Sequence, residues 1–322
     1  MFKKFKNGLA AMAAGIAIAA VSPAQAGVPE SKDPIKLSVN EWTGQHLSTY
    51  IYGALLEGMG YNVEYVTAGA VPQYAAMATG NLTANPENWD NNVGDIYPKA
   101  VASGDIVLAG KLGLETREGW IYPPYMAEKC PGLPDWKALF KCAEAFGNAE
   151  TFPNGRVIAY PADWGTRTTD FVKANDMPFV SVPGGSEGAM IAELKSAYAA
   201  KEPMLMMFWA PHWIFAELEF DWIEMPAYED GCDEDPKVGP NPNAVHDCGF
   251  VQATVNKAAW KGMKDKWPAA YRLFEAYTLT NADQNAMMLE VDNKGRDAKE
   301  VAKEWVAANK AKWQPWVDAA TK

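Results

Sequence analysis

Apolar residues follow two patterns along the chain: short continuous runs, typical of buried strands, and repeats every three or four residues, typical of amphipathic helices. The run 35–39 predicts a strand, and segment 46–59 predicts a helix because its apolar residues recur every four positions on one face. Similar patterns predict a strand at 61–66, a helix at 71–79 and a strand at 106–109, with short glycine-bearing turns between them. Strands that alternate with helices indicate a mainly parallel α/β sheet.

A second unit of the same kind follows a proline-rich stretch at 122–125. The pattern predicts a strand at 157–160, helices at 168–175 and 187–199, and a strand at 204–209. The length of the chain fits two α/β units better than one.

The last third of the chain differs from these units. Segment 228–247 is rich in Asp, Glu, Gly, Pro and Asn, which indicates a long surface loop. From Trp260 onward the pattern is helical, with a candidate C-terminal helix at 297–311.

The first 26 residues have the pattern of a signal peptide. Basic residues precede the apolar run 9–21, and Ala24-Gln25-Ala26 forms a small-x-small cleavage motif. The apolar run is too short to span a bilayer. We therefore expect cleavage after Ala26 and export of a soluble protein.

The cysteines lie in two local pairs, Cys130 with Cys142 and Cys232 with Cys248. This pairing is one of three connectivities, and buried free thiols are the alternative. We interpret the pairs as two disulfides formed in an oxidising compartment. Each would close a loop of about 15 residues and stabilise the fold by about 3 kcal/mol.

Composition narrows the classes of partner. The 322 residues include 29 Lys plus Arg and 40 Asp plus Glu, a formal net charge of -11. This balance argues against attraction to nucleic acid or to an anionic membrane. The chain has 13 Trp and only 3 His. The small number of histidines argues against histidine-based metal or acid–base chemistry, and the many tryptophans favour recognition by aromatic rings.

Some of the tryptophans stand at strand ends or turns beside a polar residue or a glycine. They are Trp42, Trp89, Trp120, Trp164 and Trp209. Ligands of parallel α/β sheets bind beyond the carboxyl ends of the strands, so these side chains can converge on a cleft. Indole faces attract cations, and a cage of them suits a quaternary ammonium group. Packing in the core is the alternative for each of them.

Several motifs resemble the receptors for glycine betaine, choline and trimethylamine N-oxide that serve ABC transporters. The motifs are Asn88-Trp89, Asp163-Trp164-Gly165, the segment 208–213 and the segment 284–288. The resemblance implies the two-lobe fold of a type II periplasmic binding protein, with the ligand in the cleft between the lobes. We expect lobe 1 to span 27–118 and 256–322, and lobe 2 to span 119–255. The expected protein is a periplasmic monomer that delivers its ligand to an inner-membrane ABC permease.

The resemblance also implies roles for individual residues. Trp89, Trp164 and Trp209 match the three-tryptophan box of betaine-binding members, and Trp42 matches an extra tryptophan of choline-binding members. Trp120 falls where some members have a cage tyrosine. Together they favour a compact trimethylated head group, with trimethylamine N-oxide first, then glycine betaine or choline.

The polar end of such a ligand needs its own partners. Backbone N–H groups at Gly165 and Thr166, which open a predicted helix, are candidates for binding an anionic end. Glu118 and Glu41 are further candidate polar partners. We expect no cofactor, apart from an accessory calcium ion at the acidic run 229–235.

An exported serine hydrolase is the alternative function. Segment 184–188 matches G-x-S-x-G between an extended run and a helix, which would make Ser186 the nucleophile. Asp221 or Asp230 with His246 would complete a triad in the required order. A glycine turn with Ser186 as the N-cap of a helix accounts for the same residues.

Overall fold

The computed structural model describes residues 27–91 and 96–322. The predicted signal peptide therefore lies outside the described residues. Among the described residues, no helix combines the length and apolar character needed to cross a bilayer.

Two β-sheets organise the chain. The first has the strand order β2-β1-β3-β10-β4. Its strands are β1 (Ile35–Val39), β2 (Val63–Thr67), β3 (Ala84–Trp89), β4 (Ile106–Lys111) and β10 (Val255–Trp260). The second has the order β7-β6-β8-β5-β9. Its strands are β5 (Arg117–Tyr122), β6 (Gly155–Ala159), β7 (Phe179–Pro183), β8 (Met206–Ala210) and β9 (Asp221–Trp222).

Helices flank both sheets. With the first sheet lie α1 (Thr43–Gly58), α2 (Gln73–Ala78), α3 (Ile96–Ala102), α9 (Met263–Lys266), α10 (Pro268–Ala276), α11 (Asn281–Met288), α12 (Ala298–Ala308) and α13 (Lys310–Ala320). With the second lie α4 (Met126–Lys129), α5 (Leu139–Cys142), α6 (Arg167–Ala174), α7 (Glu187–Ala200) and α8 (Ile214–Glu217). We call the unit around the first sheet lobe 1 and the unit around the second sheet lobe 2. This architecture confirms the predicted two-lobe α/β fold.

Each sheet is mixed, which refines the prediction of mainly parallel sheets. In lobe 1, β1 pairs in parallel with β2 and β3, whereas β10 is antiparallel to β3 and β4. In lobe 2, β6 pairs in parallel with β7 and β8, whereas β5 is antiparallel to β8 and β9. The antiparallel strands β5 and β10 are those with which the chain enters lobe 2 and returns to lobe 1. Both strands begin at the cleft, and each runs antiparallel to the strands beside it.

The polar composition of three strands explains why the apolar pattern did not predict them. Strands β3, β5 and β10 read ANPENW, REGWIY and VNKAAW. In β3, Asn85, Glu87 and Asn88 are each at most 1% exposed. Burial of such side chains is stable when hydrogen bonds satisfy them, and tertiary neighbours supply these bonds to Asn85, to Glu87 and to the side-chain oxygen of Asn88. The amide nitrogen of Asn88 has no partner among the described residues.

The two predicted disulfides are present, between Cys130 and Cys142 and between Cys232 and Cys248. The second pair closes the predicted surface loop, because it joins Cys232 within the loop to Cys248 directly after it. Within that loop, the Asn241 side chain donates to the carbonyl of Ala174 at 2.6 Å.

Candidate ligand-binding site

A cavity of about 50 Å³ lies where the two lobes face each other. This volume admits a few water-sized groups. The described part of the chain lines it mainly with aromatic rings. The lining residues are Trp42, Ala70, Gln73, Tyr74, Trp89, Glu118, Tyr160, Trp164 and Trp209.

Strand ends place the rings in this cavity. Trp89 is the last residue of β3, Trp209 is near the end of β8, and Tyr160 follows β6 directly. Trp42 precedes the first turn of α1, and Trp164 closes the 3₁₀ turn 162–164. The cavity therefore opens beyond the carboxyl ends of strands, where α/β proteins bind ligands.

Trp164 is the central ring of the cage. Its centroid lies 5.4 Å from that of Trp42, 5.8 Å from Tyr160 and 5.6 Å from Trp209. Each pair meets edge to face, the arrangement that the charge distribution of aromatic rings favours. The contact with Trp42 joins the two lobes directly.

Glu118 adds a carboxylate to the aromatic wall. The hydroxyl of Tyr160 donates to Oε1 at 2.8 Å, and the guanidinium of Arg167 lies 3.5 Å from Oε2. The amide of Asn91 also donates to Oε2. Glu118 is 5% exposed, so these partners maintain the position of its carboxylate in the wall.

Trp120 lies outside the cavity, which corrects its assignment as a cage residue. It is fully buried, packs against Phe171 and Phe250, and donates its indole N–H to Thr168 at 3.2 Å. Residues two apart on a strand share a face, so Trp120 lies on the same face of β5 as Glu118 but deeper, where other side chains cover it.

Gly165 and Thr166 are likewise not among the described lining residues. Thr166 donates its hydroxyl to Asp170 at 2.6 Å. Gly165 has a φ of 111°, which a residue with a side chain would adopt only under strain. The sequence did not predict four of the lining residues, Ala70, Gln73, Tyr74 and Tyr160. Tyr160 is the last residue of the predicted strand 157–160, and this strand-end position could have identified it.

Hydrogen bonds fasten the lobes together beside the cavity. The backbone N–H of Thr43, in lobe 1, donates to Glu187 Oε2, in lobe 2, at 2.8 Å. Asp292, in lobe 1, accepts the hydroxyl of Thr43 at 2.5 Å and the indole N–H of Trp213, in lobe 2, at 2.7 Å. We call Thr43, Glu187, Trp213 and Asp292 the interlobe latch.

Two lobe 1 carboxyl groups lie close to carboxylates of lobe 2, and partial burial raises the pKa of both, Asp292 and Glu41. Burial and the neighbouring charge of Glu187 raise the pKa of Asp292 to about 6. Hydrogen bonds from Thr43 and Trp213 and the nearby His212 act in the opposite direction. Burial and the charge of Asp163 likewise raise the pKa of Glu41.

Mild acid should therefore strengthen closure. The closed form holds the Asp292 proton more tightly than an open form in which water hydrates this carboxyl. Protonation of Asp292 therefore stabilises the closed form below pH 6, and this stabilisation disappears as the pH rises through 6. We expect the affinity of wild type relative to Asp292→Asn to rise about tenfold between pH 7.5 and pH 5. Titration with tetramethylammonium, which carries no titratable group, measures this ratio. A ratio that does not change with pH would contradict the prediction.

The chain matches a known family over most of its length. Residues 33–308 match the family described as the substrate binding domain of the ABC-type glycine betaine transport system. The chain belongs to this family. It is a substrate-binding protein of ABC-type transport rather than an enzyme.

Relatives agree with this assignment. The trimethylamine N-oxide-binding protein of Pelagibacter ubique is 28% identical over 295 residues, which cover 89% of this chain and 91% of that protein. The glycine betaine/proline betaine-binding periplasmic protein of Salmonella typhimurium is 25% identical, with 98% and 97% covered.

Two solved structures share the fold. A choline-binding protein of an ABC transporter, in complex with choline, superposes with a TM-score of 0.72 at 19% identity, covering 91% of this chain and 95% of that one. Lactococcal OpuAC, complexed with glycine betaine, gives a TM-score of 0.68 at 20% identity, covering 90% and 100%.

The residues of the hydrolase alternative have structural roles. Ser186 is the N-cap of α7, and its hydroxyl oxygen accepts the backbone N–H of Ala189 at 3.2 Å. His246 pairs with Asp233 at 2.8 Å in the exposed disulfide loop. The hydrolase interpretation is therefore wrong for this member of a binding-protein family.

Proposed function

We propose that the protein is the periplasmic receptor of an ABC importer and traps a small trimethylated amine in the aromatic cage. Trimethylamine N-oxide is the favoured ligand, ahead of glycine betaine and choline. The observation that carries the proposal is the convergence of four indoles and two tyrosines from both lobes on one small cavity.

The chemistry of the walls supports a methylated cation. Indole and phenol faces attract positive charge. A fully methylated nitrogen has no N–H group to donate, and the ring faces do not require such a donor. The carboxylate of Glu118 adds a negative charge in the wall. An anionic solute would gain little from such a surface.

Size supports the smallest of the candidate ligands. Trimethylamine N-oxide has five heavy atoms, and the best ligands of that size gain about 1.5 kcal/mol per atom. The sum, about 7.5 kcal/mol, corresponds to a Kd in the micromolar range. Glycine betaine would also require partners for a carboxylate, and the predicted clamp residues Gly165 and Thr166 are absent from the described cavity wall.

Calorimetric titration of the purified protein with all three compounds tests the proposal. We expect a micromolar Kd for trimethylamine N-oxide and weaker binding of glycine betaine and choline. Tightest binding of either of the other two would correct the ligand and leave the cage intact. The absence of binding by all three would overturn the proposed function.

A further inference from the structure

Glu87 is a buried carboxylate directly behind the lobe 1 part of the cage. It lies on β3, two residues before Trp89, and is 1% exposed. It is not among the cavity-lining residues of the described chain. An isolated carboxylate at such a position would be strongly destabilising, so its partners define its role.

Among the described residues, Glu87 accepts hydrogen bonds from four side chains. Oε1 accepts the indole N–H of Trp42 at 2.8 Å and that of Trp89 at 3.0 Å. Oε2 accepts the hydroxyl of Ser48 at 2.7 Å and the amide of Gln284 at 2.6 Å. One carboxylate thus holds both indoles that lobe 1 contributes to the cavity.

The donors match an ionised carboxylate. The two indole N–H groups can only donate, and Gln284 also donates in its observed orientation. With these donors in place, a protonated Glu87 could donate its own hydrogen bond only to the Ser48 hydroxyl. Burial raises the pKa of Glu87, and the hydrogen bonds from Trp89, Ser48, Trp42 and Gln284 oppose this shift. Hydrogen bonding to the charged form thus favours retention of the negative charge.

We propose that Glu87 is a positioning and specificity-determining residue that orients Trp42 and Trp89 and favours ligands with a positively charged head group. This inference rests on the proposed function. Each indole N–H directed at the carboxylate fixes the rotation of its ring, so the apolar part of the ring remains available to the cavity. The negative charge behind the rings also strengthens their attraction for a cation in a region of low dielectric.

The surrounding residues support this arrangement. Gln284 is 1% exposed, and a Cβ added to Gly44 would lie 3.0 Å from its Nε2. The glycine in the first turn of α1 thus provides the space for Gln284 to reach Glu87. The 284–288 motif of the sequence thereby contributes a hydrogen-bond donor behind the cage.

The experiment compares three solutes of similar shape that differ in charge: tetramethylammonium, trimethylamine N-oxide and tert-butyl alcohol. Their affinities are measured for wild type and Glu87→Gln, by calorimetry for the first two and by competition for the alcohol. The amide oxygen of the variant can still accept the indole N–H groups. Its NH2 group then faces the Ser48 hydroxyl, which can accept a hydrogen bond, and Gln284, whose amide can turn its oxygen toward the new donor. We expect about a tenfold loss for tetramethylammonium, a smaller loss for the N-oxide and almost no change for the alcohol.

Ser48→Ala is the matched control. It removes one hydrogen bond to Oε2 and keeps both the charge and the indole contacts, so the preference for the cation should stay within about twofold of wild type. Equal losses for all three solutes in Glu87→Gln would show a purely structural role and overturn the inference, as would unchanged affinities. Failure of wild type to bind any trimethylated solute would instead overturn the proposed function.

Discussion

Replacement of Trp164 by Ala is expected to weaken the binding of trimethylamine N-oxide by about a hundredfold, which corresponds to roughly 3 kcal/mol. The central indole supplies one cation–π contact, worth up to about 2 kcal/mol when desolvated. It also packs edge to face on Trp42, Tyr160 and Trp209. Its loss therefore loosens the remaining walls and removes an aromatic contact between the lobes.

Calorimetry on Trp164→Ala measures this loss, and Trp120→Phe is the matched control. Trp120 is buried in lobe 2 and lies outside the cavity, so its replacement should lower the melting temperature and leave the Kd within about twofold. A Trp164→Ala protein that binds as tightly as wild type would rule out the cage. An equally large loss of affinity in Trp120→Phe would place the ligand elsewhere.

Replacement of Asp292 by Ala is expected to accelerate ligand release by about tenfold, because it removes two hydrogen bonds of the interlobe latch. Thr43 and Trp213 would then lose their acceptor in the closed form. An open form would hydrate both groups, so the change disfavours closure more than it disfavours folding. Removal of the charge beside Glu187 offsets part of the loss.

Stopped-flow tryptophan fluorescence measures the release rate, and Asn293→Ala serves as the neighbouring control. Asn293 accepts a hydrogen bond from Lys195 at 3.2 Å on an exposed part of the same interface. Exposed contacts of this kind contribute little, so we expect less than a twofold change. If both variants release the ligand at the wild-type rate, the latch does not hold the closed form.

Local patterns predicted the regular elements well where burial follows chain periodicity. The predicted strand 35–39 coincides with β1, and the predicted helix 187–199 coincides with α7 to within one residue. The polar strand β3 was not predicted from periodicity. Its buried Asn85 and Glu87 are satisfied by side chains up to about 200 positions away along the chain, such as Gln284.

The sequence predicted the aromatic lining of the candidate site, but only part of the set of residues that form it. Four of the five tryptophans chosen from the sequence line the cavity, whereas Trp120 is in the core. Strand-end position identified these residues, but how deeply each one lies depends on what covers it. Tyr160 joins the cage through its position after β6, and Glu87 supports it from behind through tertiary hydrogen bonds.

The sequence by itself determined the α/β alternation, the pairing of neighbouring cysteines and the aromatic character of the candidate site. These properties depend on side-chain type and on spacing within a few turns or strands. Only the tertiary structure decided which rings share a cavity, which carboxylate holds them and which groups fasten the lobes. Those properties depend on contacts between segments that are distant along the chain, such as Thr43 and Asp292, and local periodicity carries no information about such contacts.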